Sequence, residues 1–430
     1  MRRVALVFPY FRTRVATEML LPPLGVATLA AHLRRLGVET RVFDCTFRTL
    51  DQLRSELRSF APDVVGISSM VSHTRNTFAI ARLVRAELPQ ALLVAGGPLP
   101  TVFPRRYARD FDLVFRGEAD LSFPRFCRDY VDGAPSVEAL GELPLDGYDG
   151  LFVPNHGLSI DNRAGHCDER QLARFPAPDR GDFDHAAYQR VWLEATGSTV
   201  TSIIATLGCP FACEFCSKPI FGNVVRRRPL DGVLDEVDEL GSLGYEGLWI
   251  ADDSFTLDRP YLEEFCRRMA SRPQWWTCLS RVDAVDAQLA GLMSDAGCRR
   301  VYLGLESGCQ DTLRLMNKRV TVEDGAHAVR AYRAAGIEVA GFFIVGYPGE
   351  TESSVEQTLQ LALSLPLDEI SFNVPYPLPG SALFRRLGGP DDGLDWTEEN
   401  EVTFVYPSEF DAGWLRRRIG ETMAAFETRR

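Results

Sequence analysis

The chain has 430 residues, of which 45% are hydrophobic and 25% are charged, and this length and composition predict a globular protein of two domains. Its formal net charge of −12 argues against broad binding of nucleic acid, because contacts to phosphate need a basic surface. The apolar run that begins at Val4 is cut by Pro9, far below the length of a signal peptide or membrane span, so we expect a cytoplasmic protein without a membrane partner.

Short apolar runs alternate with helical patterns through the first third of the chain. The predicted strands are Val4–Phe8, Thr40–Asp44, Val64–Ser68, Leu92–Gly96 and Leu113–Phe115. Between the first two strands, apolar residues recur at helical spacing from Leu24 to Leu33. This alternation predicts a Rossmann-like or flavodoxin-like parallel sheet, in which a ligand would lie at the carboxyl ends of the strands.

Four segments of this region carry small and turn-forming residues: Leu-Pro-Pro-Leu-Gly at 21–25, Pro-Asp-Val-Val-Gly-Ile-Ser at 62–68, Ala-Gly-Gly-Pro at 95–98 and Phe-Arg-Gly-Glu at 115–118. Together and in this order, they resemble the cobalamin-binding domain of cobalamin-dependent radical S-adenosylmethionine (SAM) enzymes. The resemblance implies that cobalamin contacts Pro23, Leu24, Asp44, Ser68, Ser69, Gly96, Gly97, Gly117 and Glu118. The D-x-H-x-x-G motif is missing after the first strand, so that loop supplies no histidine to cobalt. A sheet domain that keeps the fold without the cofactor is the alternative.

Three cysteines are crowded into eight residues as Cys209, Cys213 and Cys216, with the spacing C-x3-C-x2-C. Three thiolates can hold three corners of a cubane iron–sulfur cluster and leave one iron without a protein ligand. A structural zinc site, the alternative, needs four ligands that usually come as two pairs. The nearest additional candidates, His166 and Cys167, lie about forty residues upstream, so the spacing favours the cluster.

The second half of the chain again alternates strands with helices. Its predicted strands are Ser202–Thr206, Leu248–Ala251, Trp276–Leu279, Arg300–Leu305, Val339–Val345 and Glu369–Val374. Six such units predict a partial barrel of the TIM type. In such barrels, the chemistry gathers at the carboxyl ends of the strands, and the cysteine triplet directly follows the first strand.

The triplet, with Phe215 before its last cysteine, resembles the signature of the radical SAM superfamily. The resemblance implies that Cys209, Cys213 and Cys216 ligate a 4Fe-4S cluster whose fourth iron chelates SAM. It also implies SAM contacts after the second to fifth strands, at Asp252, Asp253, Ser280, Arg281, Glu306, Ser307, Gly346 and Tyr347. For either Asp253 or Asp258, helix capping is the alternative role.

The expected domains are a cobalamin-binding domain over 1–135, a linker over 136–197, a radical SAM core over 198–385 and a helical tail over 386–430. The linker is expected to carry a small hairpin around residues 158–163, and the tail is expected to be helical from Trp414 to Arg430.

The resemblance implies an enzyme that uses a 4Fe-4S cluster, SAM and cobalamin to activate an unactivated carbon of a small molecule. A methyltransferase of natural-product biosynthesis is the expected activity, with a reductase or flavodoxin as electron donor. Cyclisation, oxidation or rearrangement without methyl transfer is the nearest alternative. An iron–sulfur protein that only senses redox state is an alternative of another class.

Overall fold

The computed structural model describes residues 3–12, 20–133, 136, 138–155, 157–218, 220–388 and 410–429. These residues form two compact units. The first contains the described residues up to Thr199 together with Lys218–Gly222, and the second contains 200–217, 223–388 and 410–429.

The first unit is built on a seven-stranded sheet with the order β2-β1-β3-β4-β5-β6-β7. The first five strands run parallel, and the last two are antiparallel to their neighbours. The strands are β1 Arg3–Phe8, β2 Glu39–Asp44, β3 Val64–Ser68, β4 Leu92–Gly96, β5 Leu113–Phe115, β6 Leu151–Val153 and β7 Ile160–Asp161. The helices are α1 Leu24–Arg35, α2 Leu50–Phe60, α3 Thr74–Glu87, α4 Pro98–Val102, α5 Pro104–Tyr107, α6 Ser122–Asp132, α7 Glu169–Leu172 and α8 His185–Thr196.

Both faces of this sheet are covered by apolar side chains. Along β1, Val4 and Leu6 join one core cluster, while Ala5 and Val7 join another. Successive side chains of a strand point to opposite faces, so a strand buried on both faces is apolar at every position. This explains why the run after Arg3 is continuously apolar rather than alternating.

The second unit holds a six-stranded sheet in which every neighbouring pair is parallel, in the order β15-β14-β13-β12-β11-β8. Its strands are β8 Val200–Ile203, β11 Gly247–Ile250, β12 Trp275–Ser280, β13 Cys298–Glu306, β14 Glu338–Ile344 and β15 Glu369–Asn373. A two-stranded ribbon pairs β9 Thr206–Leu207 with β10 Arg226–Arg227. The helices are α9 Leu230–Ser242, α10 Arg259–Met269, α11 Ala287–Asp295, α12 Gln310–Leu315, α13 Val322–Ala334, α14 Glu352–Ser364, α15 Ala382–Arg386 and α16 Ala412–Glu427.

The α/β class, with a Rossmann-like sheet followed by a partial TIM-type barrel, is therefore confirmed. Ten of the eleven predicted strands end within two residues of the observed bounds. The exception is the predicted strand Ser202–Thr206, because β8 ends at Ile203 and Thr206 starts a separate ribbon. The chain leaves the sheet there because the carboxylate of Asp252 accepts hydrogen bonds from the amides of Ala205 and Thr206, each 2.7 Å long.

Two further segments differ in detail from the sequence expectation. Within the expected linker, β6 and β7 form a hairpin that starts at Leu151, earlier than the predicted 158–163, and both strands extend the first sheet. The tail helix α16 spans Ala412–Glu427. Of the expected tail over 386–430, residues 389–409 and 430 lie outside the described residues. None of the described helices is long and apolar enough to cross a membrane.

Candidate functional site

The three clustered cysteines lie on one loop after β9, in the second unit. Cys209 and Cys213 are half-buried and Cys216 is exposed. The amide of Cys216 donates to the carbonyl oxygen of Cys213 at 3.2 Å, which makes a tight turn between these two cysteines. No disulfide joins any of the ten cysteines, all of which belong to the described part of the chain.

Glu214, inside the triplet, anchors this loop through its main chain and its side chain. Its amide donates to the carbonyl oxygen of Met316 at 2.9 Å, and its own carbonyl oxygen accepts from the amide of Leu383 at 2.8 Å. Its carboxylate accepts from the hydroxyl of Tyr347 at 2.7 Å and from two nitrogens of Arg386 at 2.7 and 3.1 Å. The loop is thus tied to the ends of three other segments of the barrel unit.

The side of the loop that carries Phe211 is held by a second set of contacts. The guanidinium carbon of Arg281 lies 3.5 Å from the centroid of the Phe211 ring. Arg281 also forms a two-point ion pair with Asp283, at 2.9 and 3.0 Å, and donates to the carbonyl oxygen of Lys318 at 3.1 Å. A planar guanidinium suits both interactions, since it can stack on a ring while its edge donates hydrogen bonds.

This donor set fits a 4Fe-4S cluster. In such a cluster, each thiolate binds a different iron, so the three sulfurs do not surround one ion. Among the described residues, no group of three or more His, Cys, Asp or Glu side chains is arranged as the ligands of one metal ion. A structural zinc would need four ligands converging on one point.

The two aspartates predicted after β11 occupy different surroundings. Asp252 is 1% exposed, and its carboxylate accepts from the amides of Ala205 and Thr206 and, at 2.6 Å, from the Thr206 hydroxyl. Burial raises the pKa of Asp252 to about 7, although its three hydrogen bonds act in the opposite direction. Asp253 is exposed, whereas Asp258 caps α10 through the amide of Tyr261. Asp252 therefore holds the start of the cysteine loop, and its SAM contact stays a prediction.

Ser280, at the end of β12, is buried in a hydroxyl network. Its Oγ lies 2.8 Å from the hydroxyl of Thr256 and 2.9 Å from that of Tyr332. The neighbouring Arg281 reaches the cysteine loop, as described above. The sequence placed both residues correctly at a strand end but did not indicate these partners.

The end of β13 carries a buried ion pair. The Nζ of Lys318 lies 2.6 Å from a carboxylate oxygen of Glu306, and each side chain is only 8% exposed. Glu306 has a φ of +60°, the left-handed region that side chains with a Cβ rarely adopt. The same Nζ lies 5.9 Å from the ring centroid of Phe215, in the cysteine loop. Lys318 was missed by the sequence reasoning, because a lysine after a short helix carries no motif.

Ser307 and the turn at Gly346, two further predicted SAM sites, are held by contacts within the second unit. The Oγ of Ser307 lies 2.9 Å from the hydroxyl of Thr358 and accepts from the amide of Cys309 at 3.1 Å. Gly346 has a φ of +80°, and Tyr347 after it is fully buried. Burial, followed by the hydrogen bond to Glu214, raises the pKa of Tyr347, so its hydroxyl stays protonated and donates.

Of the predicted SAM residues, Arg281 and Tyr347 contact the cysteine loop directly, and Glu306 lies next to it through its ion pair with Lys318. The carboxylate of Asp252 instead binds the amides of Ala205 and Thr206, before the loop begins. Glu214, Arg386 and Lys318 complete the surroundings of the cysteine loop. None of the last three carries a sequence signal beyond its charge.

In the first unit, most predicted cobalamin residues lie at the carboxyl ends of β2 to β5. Gly97 has a φ of +105°, and a Cβ there would lie 2.7 Å from the carbonyl oxygen of Ser69. Gly117 has a φ of +70°, and a Cβ added there would lie 2.8 Å from the Cβ of Ala164. Gly96 follows Ala95 in β4 and makes only ordinary contacts. Pro23 and Leu24, both half-buried, lie at the start of α1.

Three polar members of this set, Asp44, Ser69 and Glu118, have side-chain partners within the first unit. Asp44 accepts from the Tyr188 hydroxyl at 2.7 Å, and Ser69 Oγ lies 2.7 Å from the Tyr107 hydroxyl. Glu118 accepts from the amide of Cys167 at 3.3 Å, and its other oxygen is 3.7 Å from Nδ1 of His166. Ser68 is half-buried at the end of β3.

One further residue of this edge was missed by the sequence reasoning. His73, after β3, is buried, and neither nitrogen of its imidazole ring has a hydrogen-bond partner among the described residues. A small-residue edge with an unpartnered imidazole fits a large cofactor such as cobalamin, although its individual contacts stay predictions.

Comparisons with known proteins agree with the two units. The family model of the radical SAM superfamily matches residues 203–362, and that of the B12 binding domain matches residues 14–126. The chain is 29% identical over 420 residues to cytidylyl-2-hydroxyethylphosphonate methyltransferase of Streptomyces wedmorensis, covering 85% of this chain and 77% of that one. It is 28% identical over 424 residues to anaerobic magnesium-protoporphyrin IX monomethyl ester cyclase of Rubrivivax gelatinosus, covering 93% of this chain and 72% of that one.

A solved structure shares the fold. The radical SAM methyltransferase TsrM from Kitasatospora setae, solved with cobalamin and a [4Fe-4S] cluster, superposes with a TM-score of 0.74 at 20% identity. The match covers 90% of this chain and 77% of TsrM, and a second structure of TsrM holds tryptophan as substrate with a SAM analogue. The chain thus combines a B12 binding domain over residues 14–126 with a radical SAM domain over residues 203–362, and its fold is similar to that of a cobalamin-containing radical SAM methyltransferase.

Proposed function

We propose that this enzyme transfers a methyl group to an unactivated carbon of a small molecule in natural-product biosynthesis. The observation that carries the proposal is the loop of Cys209, Cys213 and Cys216, held at the carboxyl end of a parallel barrel sheet in a chain that also has a B12-binding domain. Two of the compared proteins, the phosphonate methyltransferase and TsrM, are methyltransferases.

In this proposal, the three thiolates bind the cluster, and the residues predicted after β11 to β14 contact SAM. When bound, the cluster and SAM supply a carbon-centred radical, and cobalamin supplies the methyl group. The chain itself positions these groups and excludes water, which is the usual role of the protein in cofactor enzymes. Glu214, inside the cysteine loop, and Arg281, at the end of β12, would keep this loop in place during turnover, because each joins it to another segment of the second unit.

The domain limits are proposed as the sequence suggested: cobalamin binding over 1–135, a linker over 136–197, the radical core over 198–385 and the tail over 386–430. A reductase or flavodoxin would supply the electron. We place the protein in the cytoplasm, because reducing conditions preserve thiols such as those of the ten cysteines.

The compared proteins suggest the substrate class, since theirs are a cytidylyl phosphonate, a tetrapyrrole ester and tryptophan. All three are small molecules, and a small molecule is therefore proposed here. Ring formation without methyl transfer is the alternative activity, because the chain is also similar to a cyclase over 93% of its length.

The test is anaerobic reconstitution with iron, sulfide and cobalamin, followed by reaction with SAM that carries a deuterated methyl group and a chemical reductant. The probes are tryptophan, a cytidylyl phosphonate and a protoporphyrin monomethyl ester. A methyltransferase forms 5′-deoxyadenosine and a product with the deuterated methyl group. A cyclase forms 5′-deoxyadenosine and an unlabelled product, and a redox sensor forms neither.

Two cysteine variants separate cluster chemistry from folding. Cys213→Ala should lose the cluster and all turnover, and turnover by that variant would overturn the proposal. Cys266→Ala is the control, since Cys266 is buried in the core formed by α10 and should leave the cluster in place.

A further inference from the structure

The order of the strands marks one place in the first unit as a ligand site. From β1 the chain continues to β2 on one side of the sheet, and from β3 it continues through β4 to β5 on the other side. The two directions of strand addition therefore diverge between β1 and β3. In open parallel sheets, ligands bind outside the carboxyl ends of the two strands at which the connections diverge in this way. Here that place lies between the residues that follow Phe8 and those that follow Ser68.

His73 lies at this place. It ends the 3-10 turn Val71–His73 after β3, and its ring meets the ring of Phe8, the last residue of β1, edge to face with centroids 5.2 Å apart. The hydroxyl of Thr77 donates to the carbonyl oxygen of His73 at 3.1 Å and lies 3.5 Å from that of Ser68. His73 is thus fixed against the ends of both strands.

The imidazole of His73 is buried without a polar partner. It is 3% exposed, and within the described residues neither Nδ1 nor Nε2 has a hydrogen-bond partner. A buried polar group without a partner has lost its hydrogen bonds to water and is rare in native proteins, so this imidazole calls for an explanation.

The protonation of His73 suits one kind of partner. Burial lowers its pKa to about 4, so the ring is neutral at neutral pH and one nitrogen keeps its lone pair. A neutral imidazole is the commonest protein ligand of metal ions. The segment between β1 and α1, by contrast, contains no histidine at all.

We propose that His73 is the protein ligand of the cobalt in bound cobalamin, supplied from the loop after β3 rather than from the loop after β1. The inference rests on the proposed function, because it requires bound cobalamin. One ring nitrogen donates its lone pair to cobalt, no proton is released, and the benzimidazole base of the cofactor is displaced from that position.

The experiment uses the full-length protein, made once with ordinary histidine and once with nitrogen-15 histidine. Each sample is reconstituted with unlabelled cobalamin, reduced to the cobalt(II) state and examined by electron paramagnetic resonance. A histidine ligand splits the cobalt lines into triplets in the ordinary protein and into doublets in the labelled protein. Triplets in both samples would identify the base of the cofactor as the ligand, and an absence of splitting would show that no nitrogen is bound; either result overturns the proposal.

Two variants complete the test. His73→Gln should retain cobalamin after gel filtration but lose the nitrogen splitting. His32→Gln, which changes another buried histidine in α1 next to Phe175, should keep the splitting. If His73→Gln fails to fold, the isotope experiment on the unaltered sequence still decides. If the unaltered protein binds no cobalamin, the proposed function falls together with this inference, whereas cobalamin bound without a histidine signal overturns the inference alone.

Discussion

The hydroxyl of Tyr347 donates a hydrogen bond of 2.7 Å to the carboxylate of Glu214, and so joins the turn after β14 to the loop that carries the three cysteines. Residues 133 positions apart in sequence thereby hold the candidate cluster loop in one conformation. Arg386 donates to the same carboxylate, so the side chain of Glu214 is hydrogen-bonded to two separate segments of the second unit.

Tyr347→Phe should weaken this anchor without removing it. We expect a loss of about 1–3 kcal/mol in the free energy of unfolding, because a hydrogen bond to a charged group is removed. The reconstituted variant should also retain less iron after desalting. Tyr261→Phe is the control, because it removes a 2.9 Å bond to the Arg228 carbonyl oxygen and does not touch the cysteine loop. Equal iron retention in the two variants would contradict the role assigned to Tyr347.

Lys318→Met should destabilise the cofactor-free protein by about 3–5 kcal/mol, because it leaves the Glu306 carboxylate buried without a cation. Replacing both residues with Met should lose less than the sum of the two single changes, since no charge is then left unpaired. Urea unfolding of the four proteins measures this coupling. Additive losses would show that the two side chains do not interact.

The raised pKa of Asp252 leads us to expect that the free energy of unfolding depends on pH. Its pKa is raised from 3.8 to about 7 on folding, so between these values the folded state binds more protons than the unfolded state. The contribution of Asp252 therefore favours folding at low pH and is lost as the pH rises through about 7.

Asp252→Asn should remove this dependence and also lower stability by about 1–3 kcal/mol, because its amide group would face the Thr206 amide donor. Urea unfolding of both proteins at several pH values from about 4 to about 8 measures the two effects, because this interval covers most of the range between 3.8 and about 7 in which Asp252 changes its protonation on folding. The prediction fails if the difference in stability between the two proteins is the same at every pH.

Gly97→Ala should destabilise the first unit by about 1–3 kcal/mol from backbone strain alone, since its φ of +105° is rarely adopted by residues with a Cβ. The clash of the new Cβ with the Ser69 carbonyl oxygen, at 2.7 Å, adds to this loss. Gly25→Ala is the matched control: it lies in helix α1 with nothing within 4 Å, so it should be neutral or gain about 0.5–1 kcal/mol. Thermal unfolding compares the two, and equal melting temperatures would contradict the close approach at Gly97.

Most of the fold could be predicted from the sequence because apolar periodicity is a local property. The strand Val64–Ser68, for example, is fully buried over its first four residues, Val-Val-Gly-Ile, and none of these four has a polar side chain. The predicted strand Ser202–Thr206 failed because its end is decided by Asp252, a residue 46 positions away from Thr206 in the chain. No local pattern in residues 202–206 indicates that the amides of Ala205 and Thr206 bond to this carboxylate instead of to a neighbouring strand.

The candidate site divides in the same way. Spacing alone identified Cys209, Cys213 and Cys216, because ligands of one cluster can be close in sequence. The role of Lys318 could not be predicted, since a lysine side chain is ordinarily exposed and only the packing around Glu306 buries this one. His73 was also missed, because its significance depends on its distance from Phe8 across two strands.

The sequence by itself determined the α/β architecture, the cysteine loop and the order of the strand-end motifs, because these depend on periodicity and short-range spacing. Only the tertiary structure decided which charges are paired, as in Glu214 with Arg386 and Glu306 with Lys318, and which imidazole lies at the switch between β1 and β3. These relationships join residues from separate elements, and their burial and partners exist only once the sheets have formed.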